Sequence, residues 1–174
     1  MNSNTKRILC DIDGTITEYD FNRLVKDFFG VDLSPMVIFA YDLADVLGVS
    51  KALIDTMFAE TVYGKPNYID GSYEVLSEWQ AEGYEIIIFS NRVKYMGEME
   101  LAKWLIENDI PFSGIDSTGL GNYDYAIDDR PAKLADVEAN IKLLYHQPWN
   151  ARCYDIERQL TRVKSWDEIK GIVG

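Results

Sequence analysis

Strands alternating with helices predict an α/β protein with a parallel sheet between helical layers, and three observations carry that expectation. Short apolar runs, rich in β-branched residues, recur at Ile8–Cys10, Tyr84–Phe89, Tyr125–Ile127 and Ile141–Tyr145. Helical periodicity fills intervals between them, the pattern of parallel strands joined by crossover helices. The first three runs each end directly in a polar cluster: Asp11/Asp13, Ser90/Asn91/Arg92 and Asp128/Asp129. In open α/β sheets ligands bind beyond the carboxyl ends of the strands, so this coincidence predicts a site as well as a fold.

Ile8, Leu9 and Cys10 read as a strand buried on both faces and stopped by a turn. Residues two apart in an extended chain point the same way, so Asp11 and Asp13 project together beyond its end. Gly14 permits a turn that bulkier residues resist, and the Thr15 hydroxyl is suited to tie the loop down. Two carboxylates on one short loop repel each other, and a divalent cation between them resolves the conflict. Asp-x-Asp alone is also an ordinary turn after a strand. The second and third clusters decide between the two.

Residues 17–69 predict a helical insert without strands. Phe21, Leu24, Val25, Phe28 and Phe29 fall at helical spacing, and Gly30 is a stop. Ser34-Pro35 signals a second start, followed by Met36, Ala40, Leu43, Ala44 and Leu47 and then Gly48. Ser50 opens a third helix through Leu53, Ile54, Met57 and Phe58, and Gly64-Lys65-Pro66-Asn67 closes the insert. Phe39 and Tyr41 lie off the second stripe, either packed among the insert's helices or free to stack on a ligand. Alternation resumes at Asp70-Gly71. Val75, Leu76 and Trp79 mark a helix ending near Gly83, and Met99, Ala102, Leu105 and Ile106 mark the next. Pro131 suits the first position of a helix, and Ser165 and Glu168 have the spacing of a capping box.

The chain's 174 residues, 47% apolar and 13% aromatic, are those of one globular core with a modest insert. No apolar run is long enough to cross a bilayer, and the N-terminus lacks the apolar region of a signal peptide. Two cysteines, one of them in a buried strand, argue against a disulfide framework and for a reducing, cytoplasmic setting. A net charge of −12 disfavours a nucleic-acid polymer as partner. It also opposes a phosphorylated substrate unless a local cation or metal overcomes the field.

The segments Asp-Ile-Asp-Gly-Thr-Ile (11–16), Ile-Ile-Phe-Ser-Asn-Arg (87–92) and Ala-Ile-Asp-Asp-Arg-Pro (126–131) resemble the motifs of the haloacid dehalogenase superfamily, in its phosphatase branch. More narrowly, Ile-Asp-Asp-Arg-Pro with His-Gln-Pro-Trp-Asn (146–150) is similar to the 5′(3′)-deoxyribonucleotidase group. The resemblance implies a Rossmann-like core of residues 1–16 and 70–174. It also implies a small helical cap, residues 17–69, that closes over the crevice and chooses the substrate. The activity implied is that of a Mg²⁺-dependent phosphomonoesterase, a 5′-nucleotidase-like hydrolase. It would act on a small phosphorylated substrate such as a (deoxy)nucleoside monophosphate, through an aspartyl phosphate. Asp11 would be the nucleophile and Asp13 the acid and base. Mg²⁺ would be held by Asp11, the backbone carbonyl of Asp13 and the acidic pair, Asp128 directly and Asp129 as a supporting or alternate ligand. Ser90, with Asn91 and Lys94, would bind the phosphate, Ser90 donating as charge spreads there. No membrane is implied, and a homodimer is one assembly open to the chain.

The sequence departs from the family in one respect. A Lys or Arg usually precedes the acidic pair to pin nucleophile and phosphate, and residues 112–127 contain neither; Thr118 stands near the expected place. Lys94, Arg92 and Lys133 are the available substitutes. Lys94 and Lys133 both fall in a first helical turn, a placement the helix dipole disfavours by ~0.3–1 kcal/mol; residues set against local preference are more often functional, and a plain solvated lysine is the other reading for either one. Lys94 is the preferred choice, since deoxyribonucleotidase-like sequences carry a lysine soon after this motif. Arg130 reads as a partner for its acidic neighbours, His146 as a loop fastener and Cys10 as a small buried neighbour of Asp11. The missing cation supports an alternative: a non-catalytic or weakly active phosphate- or metal-binding regulator. The Asp11/Asp13 pair speaks against it, because a binding module has no use for a second acid suited to proton transfer.

Overall fold

The computed structural model describes residues 5–18, 21–33, 43–61, 64–151, 153 and 159–174. The chain enters through β1 (Arg7–Cys10) and, after a tight loop, β2 (Thr17–Glu18). Helices α1 (Phe21–Phe29), α2 (Leu43–Leu47) and α3 (Lys51–Thr61) follow, and β3 (Asn67–Tyr68) returns antiparallel to β2. Next come α4 (Ser72–Ala81), β4 (Glu85–Ile88), α5 (Val93–Glu107), β5 (Gly114–Ile115) and β6 (Asn122–Asp128). The chain ends with α6 (Pro131–Asp136), β7 (Glu138–Tyr145), a 3-10 turn at Pro148–Asn150, β8 (Thr161–Val163) and α7 (Trp166–Val173).

The main sheet has the order β5-β4-β1-β6-β7-β8, and every neighbouring pair in it is parallel, the α/β fold expected. The strand most uniformly apolar takes the centre. Ile8, Leu9 and Cys10 are all buried, as a strand covered on both faces requires. Because alternate residues face opposite sides, Ile8 and Cys10 pack with Ile86, Ile88, Trp79, Trp104 and Trp166, whereas Leu9 packs with Ala126, Leu134, Val137 and Leu144. Among the described residues the first side is covered by α4, α5 and α7 and the second mainly by the short α6. The helical cover is therefore unequal.

Several boundaries differ from the expectation for physical reasons. The 17–69 stretch holds three described helices but is not strand-free: β2 and β3 join its two ends, two residues each being too short for a period to register. Strand β7 begins at Glu138 rather than Ile141, its polar first half lying half-exposed while only Leu143–Tyr145 is buried. β5 and β8 escape notice because they are two and three residues long. The second insert helix is described only as Leu43–Leu47; Ser34, Pro35, Met36, Ala40 and the two aromatics, Phe39 and Tyr41, lie outside the described residues. Ser165 caps α7, accepting from Glu168 N at 3.2 Å, but the Glu168 carboxylate bonds Lys164 N at 2.7 Å rather than Ser165 N. The capping box is thus displaced by one residue. Cys10 and Cys153 are free thiols, and among the described residues no helix is long and apolar enough to cross a membrane.

Candidate active site

The loop after β1 is held in place by its neighbours. Asp11 N donates to Ile127 O at 3.0 Å and Phe89 N to Cys10 O at 2.9 Å, so the ladders to β6 and β4 run one residue past β1. Asp11 is thereby fixed at the strand end, beside Ser90 and Asp128. Thr17 N and Ile16 N then donate back to Ile12 O, closing the loop. Gly14 turns it with φ +82, a left-handed conformation that costs other residues free energy.

Asp11, Asp128 and Asp129, all buried, each present an oxygen within 4.8 Å of the others. One ammonium group enters this cluster. Lys133 Nζ donates to Asp11 Oδ1 at 2.9 Å and to Phe89 O at 3.3 Å, lies 4.7 Å from the Phe89 ring centroid, and approaches Asp128 Oδ2 to 3.3 Å. That last contact is an ion pair without hydrogen-bond geometry, leaving Asp128 Oδ2 buried with no hydrogen-bond partner. The other oxygen of Asp128 accepts Arg130 N at 2.7 Å.

Burial holds the carboxyls of Asp11 and Asp128 above the usual carboxylate range, with Lys133 opposing and the neighbouring acids adding to the rise. Asp129 is pushed up to about 7, by burial first and by Asp11 second, while the Trp149 indole pulls it down. Burial alone would lower Lys133, but the charges of Asp11 and Asp128 outweigh it and raise the ammonium above its ordinary value. A pair of unit charges about 4 Å apart interacts by roughly 4 kcal/mol at an effective dielectric near 20. Among the described residues, Lys133 is the ammonium group that reaches Asp11 and Asp128. With an oxygen-only donor set, and with Asp128 Oδ2 buried without a hydrogen bond beside the Lys133 ammonium, the residues fit a hard divalent cation such as Mg²⁺.

Asp13 stands apart from this cluster. Its carboxylate is gripped by Arg92, whose Nη2 donates to Oδ1 at 2.8 Å and whose Nε donates to Oδ2 at 2.9 Å. The guanidinium is buried and lies 4.0 Å from the centroid of the Trp104 ring, so the fork is held rigidly on a flat apolar surface. Ser90 is buried and its Oγ accepts Arg92 N at 3.3 Å. Asn91 is half-buried beside it.

The structure places the two candidate lysines differently. Lys94 is exposed in the first turn of α5, and the lysine beside Asp11 is Lys133, in the first turn of α6. Arg92 is committed to Asp13, and Thr118 is exposed and bonded to Asp116 at 2.7 Å. Arg130 keeps its side chain exposed and serves Asp128 through its backbone. His146 fastens a loop: its N donates to Val163 O at 2.8 Å, and its Nδ1 lies 3.1 Å from Arg162 Nη1. Three residues of the 146–150 segment had no role assigned from sequence. Trp149 Nε1 donates to Asp129 Oδ2, Asn150 Nδ2 to Asp129 O at 2.8 Å, and Gln147 Nε2 to Gly14 O at 2.8 Å. The signal was the polar and aromatic character of a segment placed directly after a strand end.

No protein-family model matches the sequence, and no curated protein matches it. Solved structures do. A haloacid dehalogenase-like family hydrolase from Streptococcus pneumoniae superposes with a TM-score of 0.63 at 11% identity, over 97% of this chain and 98% of that one. A structure titled a predicted phosphoglycolate phosphatase, from Haemophilus somnus, gives 0.63 at 14% identity over 100% of both chains. A HAD-superfamily hydrolase from Ehrlichia chaffeensis gives 0.56 at 12% identity, over 96% of this chain and 95% of that one. At these identities the likeness is one of fold.

Proposed function

We propose that this chain is a haloacid dehalogenase-type phosphatase: a Mg²⁺-dependent phosphomonoesterase acting on a small phosphate ester, with a (deoxy)nucleoside monophosphate as the leading candidate. The observation that carries the reading is the union of Asp11, Asp128, Asp129 and Lys133 at the carboxyl ends of adjacent parallel strands. A cytoplasmic setting belongs to the same proposal.

In this reading Asp11, Asp128 and Asp129 hold the cation, with the Asp13 carbonyl. When bound, Mg²⁺ supplies positive charge to the phosphoryl oxygens and lowers the repulsion between them and the acids. Lys133 favours the ionised form of Asp11 despite its burial, which the nucleophile requires. An Asp11 oxygen forms a bond to phosphorus as the bond from phosphorus to the ester oxygen breaks, and Asp13, protonated once the Arg92 fork releases one of its oxygens, gives that oxygen its proton. In the second step a water oxygen attacks the same phosphorus and Asp13 takes up a proton. The bond to Asp11 breaks, releasing inorganic phosphate. Ser90 donates to a phosphoryl oxygen as charge spreads over it, and the Arg92 fork keeps the Asp13 carboxylate from swinging away.

A non-catalytic role drew its support from the missing upstream cation. Lys133, 2.9 Å from Asp11, supports the catalytic reading by offering a cation at the site. The test is a screen of small phosphate esters with Mg²⁺, run beside Asp11→Asn. Turnover of at least one ester by the wild type and none by Asp11→Asn, with the variant folded, is the expected result. Wild-type turnover by Asp11→Asn overturns the mechanism.

A further inference from the structure

We infer that Tyr95 is a positioning residue for substrate choice: its hydroxyl holds helix α3 of the insert against the turn of chain that carries Arg92. The inference rests on the phosphatase reading above and deepens it, since the seat of α3 decides which alcohol portion of an ester fits beside Asp13.

The contacts of α5 argue for it. Gly97, at φ 78 and ψ 163, divides that helix into a single turn, 93–96, and a longer piece, 98–107; this backbone region is nearly reserved for glycine. Each piece ties down part of the insert. In the longer one, Trp104 Nε1 donates to Gly64 O at 3.2 Å and fastens the insert near its end, just before β3. In the first turn, Tyr95 Oη donates to Asp55 Oδ1 at 3.1 Å. Helix α3 buries Ile54 and Met57 and leaves Asp55 at its exposed rim.

The same turn reaches the site. Tyr95 N donates to Arg92 O at 2.9 Å, and the Arg92 guanidinium grips Asp13 while lying on the ring of Trp104. Burial first, and then Asp55, push the Tyr95 phenol up to about 12, with the charge of Arg130 opposing and that of Asp13 adding to the rise. The hydroxyl is therefore within electrostatic reach of the site, and it stays protonated, a donor, at neutral pH. The two ties differ in their access to water. Trp104 is buried and its bond to Gly64 partly so, whereas the bond from Tyr95 to Asp55 is exposed, where water competes for both partners. The exposed tie is the one that yields when α3 moves, and the tie at Gly64 stays.

The test follows hydrogen exchange by mass spectrometry in the full chain, comparing wild type with Tyr95→Phe, Asp55→Ala and the double variant. Either single change speeds exchange across α3 by about 2–10-fold, the range expected for one lost hydrogen bond, and leaves α4 as it was. The double variant exchanges no faster than the singles, as two changes to one bond require. Unchanged exchange across α3 overturns the inference whether or not the protein cleaves an ester, and so do single effects that add in the double variant. Should Tyr95→Phe fail to fold, Asp55→Ala, a change at an exposed position, reports on the same bond. Kinetics then separates substrate choice from mere support. Tyr95→Phe lowers kcat/KM by about 2–10-fold for the largest ester the wild type cleaves, a deoxynucleoside monophosphate in the reading above, and by less for methyl phosphate. An equal loss on both rejects the role in substrate choice. A wild type that cleaves no phosphate ester overturns the phosphatase reading and that role with it, while the exchange data still decide whether Tyr95 holds α3.

Discussion

Lys133 and Lys94 differ in what surrounds them, and that difference sets their expected weight in the reaction. Lys133 touches Asp11 and Asp128 in a mostly buried position, while Lys94 is exposed to solvent, where a charge is screened and worth little. Lys133→Ala is expected to lower kcat/KM by about 10²-fold, the loss typical of one charged stabiliser, and Lys94→Ala by no more than about twofold. Steady-state kinetics on the best ester decides it, and the reverse order would return the role to Lys94. The acids were legible in the sequence because a strand end followed by Asp-x-Asp or Asp-Asp fixes where they lie. The cation was not. Which of two lysines reaches the acids depends on how α6 leaves β6, and spacing along the chain carries no record of that direction. The Arg92–Asp13 fork was hidden for the same reason: the two residues are 79 positions apart.

At the scale of elements, the loop after β1 is braced against the 3-10 turn after β7, and Gly14 is where they meet. Gly14→Ala must bring a methyl group to 2.9 Å from Asp129 Oδ2 in a backbone conformation with φ +82. The left-handed conformation alone costs about 1–2 kcal/mol, and the displaced carboxylate adds to it. Denaturant unfolding should find Gly14→Ala destabilised by about 2–3 kcal/mol, together with weaker metal binding; a variant as stable as wild type would mean that the loop yields freely. The long buried elements were readable from sequence: β1, β4, the buried half of β7, and α4 all have apolar patterns that only a core explains. Helix α5 was readable as a helix but not by its buried face: Met99 and Ile106 of the expected stripe are exposed, while Met96, Leu101, Trp104 and Leu105 are buried, and Gly97, at φ 78 and ψ 163, interrupts it. The short elements were not, because pairs such as Thr17–Tyr68 and Glu18–Asn67 are made by long-range closure rather than by local preference.

For the molecule as a whole, the buried acids set how stability follows pH. Asp11, Asp128 and Asp129 have folded pKa values above their unfolded ones, with burial the leading cause. The folded chain therefore binds more protons than the unfolded chain once pH exceeds the ordinary carboxylate range. Their contribution is complete below that range and is lost as pH climbs through the folded values, that of Asp129 being about 7. Burial alone would raise Asp116, but hydrogen bonds from Thr118, Tyr123 and Gly119 hold it low, so it acts only in more acid solution. The melting temperature of the metal-free protein should fall between about pH 5 and about pH 7.5, and saturating Mg²⁺ should flatten the fall, since metal and protons compete for the same oxygens. Differential scanning calorimetry checks both, and a metal-free melting temperature that rises over this interval contradicts the assignment. The position of Lys133 has one more consequence. Two acids and their counter-charge are carried on one short piece of chain, the turn from β6 into α6, so they travel as a cartridge. In the proposed reading, drift in the 17–69 insert would alter which ester is admitted and leave Asp128, Asp129 and Lys133 in place.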